Sequence, residues 1–287
     1  MKLLVCLAFL LFTSTVFAQL SETEQSWNQP VEPFRIAGNI YYVGASDVTS
    51  YLITTPKGHI LLDSGFPETV PQITKNIAAL GFKPEDVKVL INSHAHYDHA
   101  GGLNELRRLT KAKLLVSEPD SILLANGGKS DPNFGDQFPF EPTKADETFR
   151  DGHELKLGGT TMRANITPGH TLGCTTWTMT VNENGRNYNA AFVCSTSAPG
   201  YKLVNNTGYP GIADDYAKTF ERLRKLNVDI FLGSHGGIYD LLGKIQRMRQ
   251  KRGENAFVDP QGYREYVKKS EAEFRAKLKS QESGKTR

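Results

Sequence analysis

Short apolar runs separated by turn-forming residues dominate the first part of this chain. Ile40-Tyr41-Tyr42-Val43, Thr49 to Thr54 and His59-Ile60-Leu61-Leu62-Asp63 each have the length and β-branched or aromatic content of a strand. Pro56-Lys57-Gly58 supplies the hairpin turn between the second and third. Apolar positions then recur at helical spacing from Thr69 to Leu80, and Gly81-Phe82-Lys83-Pro84 stops them. Val87 to Asn92 reads as a buried strand, Leu103 to Leu109 as a helix, and Lys113 to Val116 as the next strand. A second set of strands follows at Glu154–Leu157, Thr161–Ile166, Thr175–Val181 and Tyr188–Val193, then a helix at Asp214–Leu226 and a strand at Asp229–Leu232. Between the two sets, Asn126 to Asp146 is rich in Gly, Pro, Asn and Asp and has little periodicity; its Phe134, Phe138 and Phe140 favour a loop lining a site over plain disorder.

Both halves run through strands, a helix, and a strand ending in histidine. That duplication predicts an α/β fold, a four-layered αβ/βα sandwich of two mixed β-sheets with helices on the outer faces. No linker-like composition divides the halves, so the expectation is a single domain over residues 19–287. An amphipathic C-terminal helix is expected at about 262–278, with Tyr263, Val267, Phe274 and Leu278 on its apolar face.

The first 18 residues differ from the rest. Lys2, the apolar run Leu3 to Phe12 and Thr13-Ser14-Thr15-Val16-Phe17-Ala18 read as a secretory signal peptide cleaved after Ala18. The alternative, a retained anchor, is disfavoured because the run is short for a bilayer span. The expected destination is the periplasm or full secretion. Cleavage removes one lysine and no acid, which takes the net charge of +3 to +2. A near-neutral chain without a basic stripe excludes nucleic acid as a partner, and nothing implies a protein partner or membrane contact after cleavage. The mature chain keeps Cys174 and Cys194. Free buried thiols are the default expectation, with a disulfide as the alternative that an exporting route permits.

Candidate chemistry concentrates in Ser93-His94-Ala95-His96-Tyr97-Asp98-His99-Ala100-Gly101-Gly102, directly after a strand. In extended backbone His94 and His96 point the same way and can grip one cation together, while Asp98 and His99 project from the turn into a helix. One segment can thus feed two adjacent metal positions. Imidazole and carboxylate without thiolate suit Zn²⁺ with open positions. Thr167-Pro168-Gly169-His170 and Leu232-Gly233-Ser234-His235-Gly236-Gly237 each present a further histidine at a strand exit. Five of the seven histidines are thereby accounted for, and His59 and His153, beside Gly58 and Gly152 in predicted hairpin turns, are assigned no role.

The pattern H-x-H-x-D-H resembles the metal-binding signature of the metallo-β-lactamase superfamily. The resemblance implies two zinc ions per chain, one held by His94, His96 and His170 and the other by Asp98, His99 and His235, with hydrolysis by a metal-bound hydroxide. Asp63, in Leu62-Asp63-Ser64-Gly65, would orient the metal loop or cap a turn. Many thioester, phosphodiester and lactone hydrolases of the superfamily carry an aspartate bridging both zincs, whereas Ala191 to Tyr201 contains none. Its Ser195-Thr196-Ser197-Ala198-Pro199-Gly200-Tyr201 is similar instead to a segment of the third subclass of metallo-β-lactamases, and Gly38 to Gly44, Asn133 to Asp136 and Gly233 to His235 extend the likeness. That subclass implies a β-lactam substrate of the penicillin, cephalosporin or carbapenem type. Ser195 and Ser197 would bind its carboxylate, Tyr201 would donate to the developing oxyanion, and Asp98 would serve catalysis. Gly236-Gly237 departs from the proline often found after the last histidine. The alternatives are Cys194 as a ligand, a di-zinc hydrolase of a lactone, thioester or phosphodiester, and an exported zinc-binding protein without activity.

Overall fold

The computed structural model describes residues 20–250 and 255–284, so the expected signal peptide lies outside the described residues. Seven strands form the first sheet in the order of the chain: β1 (Phe34–Ala37), β2 (Ile40–Tyr42), β3 (Tyr51–Ile53), β4 (His59–Leu62), β5 (Val87–Ile91), β6 (Lys113–Ser117) and β7 (Glu147–Phe149). Pairing is antiparallel as far as β4 and parallel from β4 to β7. The second sheet contains β8 (Glu154–Leu157), β9 (Thr160–Ile166), β10 (Thr175–Glu183), β11 (Arg186–Val193) and β12 (Ile230–Gly233), ordered β12-β11-β10-β9-β8 with only β11 and β12 parallel. Both sheets are therefore mixed.

Eight α-helices accompany them among the described residues: α1 (Glu22–Trp27), α2 (Val70–Ala79), α3 (Tyr97–Ala100), α4 (Leu103–Thr110), α5 (Glu118–Ala125), α6 (Ile212–Lys225), α7 (Leu241–Arg249) and α8 (Pro260–Glu282). Alternation along the strands assigns the layers. On β4, Ile60 and Leu62 join the core shared with Met162, Trp177 and Phe192 of the other sheet, while Leu61 joins Val70, Ile73, Leu106 and Leu124 of α2, α4 and α5. Phe220 of α6 and Val267 and Phe274 of α8 belong to the same large core as the second sheet. The result is the expected four-layered sandwich, with two sheets inside and helices outside.

Several elements differ from the pattern reading. The helices α1, α5 and α7 and the strand β7 carry too few periodic positions to stand out. Glu118-Pro119-Asp120-Ser121 masks the start of α5, although proline is well suited to the first turn of a helix. The C-terminal helix is longer than its apolar stripe, because Asp259 caps its start by accepting from the Gly262 N–H at 2.8 Å. The expectation of free thiols is overturned: Cys174 and Cys194 form a disulfide. Trp177 of β10 sits opposite Phe192 of β11, which brings the two cysteines nearly opposite at the same end of the pair, with Cα atoms 5.9 Å apart.

Two cross-sheet hydrogen bonds hold the end of β5 against the start of β10. The Thr175 N–H donates to the Ser93 carbonyl at 2.8 Å, and Trp177 Nε1 donates to the Asn92 carbonyl at 3.1 Å. Trp177 is fully buried between the sheets. Trp177→Ala is expected to cost about 3–5 kcal/mol of stability, read from the midpoint of urea unfolding, and a loss below ~1 kcal/mol would mean that the sheets close over the gap. Reducing the disulfide, which spans 20 residues, is expected to cost about 3 kcal/mol, and an unchanged midpoint under reductant would show that the bridge adds nothing.

Candidate metal centre

The chain leaves β4 at Asp63 with φ of 61°, a left-handed conformation that aspartate tolerates better than most residues. There its carboxylate accepts from the Ser93 N–H at 2.6 Å and from Ser93 Oγ at 2.8 Å, and Oδ2 lies 3.4 Å from His99 Nδ1. Residues 94–96 continue from the end of β5, and the single turn α3 then carries Asp98 and His99. His170 arrives from the second sheet on the loop between β9 and β10. Its preceding Gly169 has φ of 131°, and any Cβ there would meet the Tyr216 ring at 2.7 Å, so only glycine lets the loop pass. His235 follows the end of β12.

Two clusters result. His94, His96 and His170 bring donor atoms within 4.8 Å of one another, with His96 Nδ1 3.1 Å from His170 Nε2. His94 Nε2 is buried without a hydrogen-bond partner. In the second cluster His99 Nε2 lies 3.2 Å from Asp98 Oδ2, His235 Nε2 lies 3.2 Å from the same oxygen, and the two nitrogens are 3.2 Å apart. The His94 and His99 rings, 4.3 Å between centroids, join the clusters. Converging imidazole nitrogens repel one another as cations, and an orphaned buried nitrogen is costly unless something accepts its lone pair. A divalent cation in each cluster answers both problems, and an N₃ set beside an N₂O set is chemistry that zinc accepts. The third compact grouping, His94 with Cys174 and Cys194, is no alternative, because both sulfurs are in the disulfide; Cys194 as a ligand is thereby excluded.

Electrostatics separate the clusters. Burial, with the neighbouring histidines His99, His170 and His96, holds His94 well below the usual imidazole range and so leaves it neutral. Burial and His96 do the same to His170. Burial also opposes charge on His99, but Asp98 and Asp63 outweigh it and push its pKa up to about 10. Asp98 in turn, despite burial, is held well below the carboxylate range by His99 and His235. His94 and His170 of the first cluster thus stand as neutral imidazoles, whereas the second cluster is closed by a proton that a metal displaces.

Four of the five candidate ligand histidines also have the other ring nitrogen hydrogen-bonded, as oriented metal ligands generally do, and the fifth, His99, has Nδ1 3.4 Å from a carboxylate. His94 Nδ1 is 3.0 Å from Ser93 Oγ, His96 Nε2 is 3.2 Å from Asp131 Oδ2, and His170 Nδ1 is 2.8 Å from the Ser197 carbonyl. His99 faces Asp63 as above, and His235 Nδ1 is 2.7 Å from Asp47 Oδ2. Asp47 and Asp131 escaped the sequence reading, since single aspartates in loops carry no spacing signal. Asp131 does stand in the irregular loop already suspected of lining a site.

The clusters open into a cleft of about 300 Å³. Phe134 and Phe138 of the 126–146 loop form one wall and α1 another, where Trp27 packs edge-on against His235 at 5.3 Å. Reciprocal Ser21–Glu24 capping closes the start of α1, and the Trp27 carbonyl accepts from the Asp47 N–H at 2.9 Å. Ser197 lines the cleft, and Ser195 Oγ lies behind it at 2.9 Å from Ser197 Oγ. Their loop is buttressed by α8, through Tyr266 Oη at 2.7 Å from Thr196 Oγ1 and Lys277 donating to the Ala198 carbonyl. Tyr201 is placed differently from expectation. It is buried, stacks beside His170, and donates its hydroxyl to the His170 carbonyl at 3.1 Å, which makes it a prop for that loop rather than a donor in the cleft. His59 and His153 pack against Phe82 and Phe149, outside both clusters.

Comparison with known proteins agrees with this geometry. The family model of the Metallo-beta-lactamase superfamily matches residues 43–235. The native FEZ-1 metallo-beta-lactamase from Legionella gormanii is 45% identical, with a TM-score of 0.87 over 89% of this chain and 98% of that one. BJP-1, a subclass B3 metallo-beta-lactamase of Bradyrhizobium japonicum, is 36% identical, with a TM-score of 0.86 over 91% of this chain and 98% of that one. Among curated relatives, the lactamase-like protein adaB of Aspergillus niger is 25% identical over 221 residues, 76% of this chain but only 59% of its own length. An N-acyl homoserine lactonase of Bacillus cereus is 35% identical over 78 residues, 19% of this chain and 31% of the lactonase. The chain belongs to the metallo-β-lactamase superfamily, and a metallo-β-lactamase of subclass B3 is among its structural neighbours.

Proposed function

We propose that the protein is an exported zinc-dependent β-lactamase that opens the four-membered amide of penicillins, cephalosporins or carbapenems and so confers antibiotic resistance. The observation that carries this reading is the pair of adjacent clusters at the floor of the cleft, with His94 Nε2 buried and unpartnered in the first. Likeness to FEZ-1 and BJP-1 over nearly the whole chain supports the substrate class, whereas the likeness to a lactonase covers only a short segment. The absence of an aspartate from Ala191 to Tyr201 argues in the same direction, against the lactone, thioester or phosphodiester alternative. Export rests on residues 1–18, and the periplasm is the compartment we assign.

His94, His96 and His170 would hold one zinc, and Asp98, His99 and His235 the other. When bound, zinc supplies Lewis acidity and lowers the pKa of water so that a nucleophile exists at neutral pH. The chain's own residues do the rest. Ser197, at the cleft wall, orients the substrate carboxylate through its hydroxyl, and Ser195 fixes the Ser197 rotamer from behind. Phe134, Phe138 and Trp27 pack the acyl side chain and exclude water from the reacting carbonyl. Asp47, Asp63 and Asp131 fix which ring nitrogen of His235, His99 and His96 faces the centre.

Chelation of the purified protein is expected to abolish turnover of a penicillin, a cephalosporin and a carbapenem, and added zinc to restore it. Activity surviving thorough chelation, or turnover of a homoserine lactone in place of the lactams, would overturn the reading. In kcat/KM, Asp98→Ala is expected to lose at least about 100-fold, and Ser195→Ala less than about tenfold. Equal losses would mean that the metal-holding and substrate-orienting roles are wrongly divided. Asp47→Asn is expected to weaken zinc at the second cluster by about 10–100-fold in a chelator competition, since Nδ1 of His235 loses its carboxylate.

A further inference from the structure

Asp120 takes no part in either cluster, yet it is almost fully buried, with 2% of its surface exposed. It lies in the first turn of α5, directly after β6. Oδ2 accepts from the Ala95 N–H at 3.0 Å and from Thr171 Oγ1 at 2.8 Å, and Oδ1 accepts from the Gly173 N–H at 2.7 Å. Ala95 is the residue between His94 and His96, and Thr171 follows His170. One carboxylate therefore ties the first-sheet segment that carries two ligands of the N₃ cluster to the second-sheet loop that carries the third. Ser117 Oγ donates to the Gly173 carbonyl at 2.8 Å, so the start of α5 grips both sides of this residue. A Cβ at position 173 would stand 2.1 Å from Ser117 Oγ and 2.7 Å from Asp120 Cγ, so there is no slack in the contact.

All three partners of Asp120 are neutral donors, and burial raises its pKa; the donors and His96 work the other way. A buried carboxylate that is only hydrogen-bonded gains from a cation placed nearby. The N₃ cluster contains no carboxylate ligand of its own, unlike the second cluster with Asp98. Asparagine could not substitute, because its amide NH₂ would face one of three groups that all donate.

We propose that Asp120 is a positioning residue that sets the affinity of the His94, His96 and His170 cluster for its metal ion, by joining the two loops and by supplying negative charge behind them. The proposal rests on the metal reading above, and its test separates the two. Zinc affinity is measured on the metal-free protein against a chromophoric chelator, in two backgrounds. Asp98→Ala disables the second cluster, so that one ion reports on the first; His96→Ala does the reverse. Asp120→Asn is expected to weaken zinc by about 10–100-fold in the Asp98→Ala background and by less than about threefold in the His96→Ala background. A residue that merely stabilises the fold would shift both backgrounds alike, and equal losses, or none, overturn the proposal. Circular dichroism of the metal-free variants checks folding. Should Asp120→Asn fail to fold, Thr171→Val removes one donor at constant shape and is expected to give a smaller loss with the same site preference; no preference there overturns the proposal. Absence of zinc binding in the Asp98→Ala parent overturns the metal reading of the first cluster, and this proposal with it.

Discussion

The Thr175 and Trp177 hydrogen bonds to the end of β5 set the distance on which the site depends. Histidines from two separate sheets can converge only if the strand ends that carry them are held at one height and one spacing. A slip of one residue in either strand would turn its side chains to the opposite face. The core between the sheets therefore does more than stabilise the fold. Its thickness, filled by Trp177, Met162 and Phe192 against Ile60 and Leu62, becomes the gap across which His94 and His170 face each other. The disulfide lies at the same end of the second sheet, with Cys194 Sγ 3.7 Å from His94 Nδ1, so it braces the strands at the level of the ligands.

Around the two clusters stands a ring of carboxylates, and their division of labour follows from geometry. Asp47, Asp63 and Asp131 each engage one histidine ring, whereas Asp120 engages backbone and a hydroxyl and spans two loops. The first arrangement selects tautomers and orientations; the second selects distances. The neutral His94 and His170 of the first cluster and the proton-bridged second one differ in what a metal must displace on arrival, and pH acts on the second more strongly.

Most of the fold and all six candidate ligands were legible in the sequence for specific physical reasons. The strands alternate or run continuously apolar, and the ligands lie at their exits in stretches dense in histidine or flanked by glycine. What escaped is what lacks a local signature. Asp47, Asp120 and Asp131 act through partners 188, 25 and 35 positions away in sequence, and no spacing rule marks such a residue. The short α1 shows no apolar stripe, because its contribution is a single tryptophan against one histidine. Tyr201 was misplaced for a related reason: a motif indicates which loop a residue occupies, but not the side of the loop to which its hydroxyl turns.

One wall of the cleft is made by residues that come at the very start of the described chain. Ser21, Thr23, Glu24 and Trp27 border the opening, and the carbonyl of Trp27 is bonded to the backbone of the aspartate that holds His235. The start of α1 thus belongs to the rim of the cleft as much as Phe134 and Phe138 do. A change confined to α1 would therefore reach His235 through two separate contacts, the Trp27 ring and the backbone of Asp47, without touching a candidate ligand.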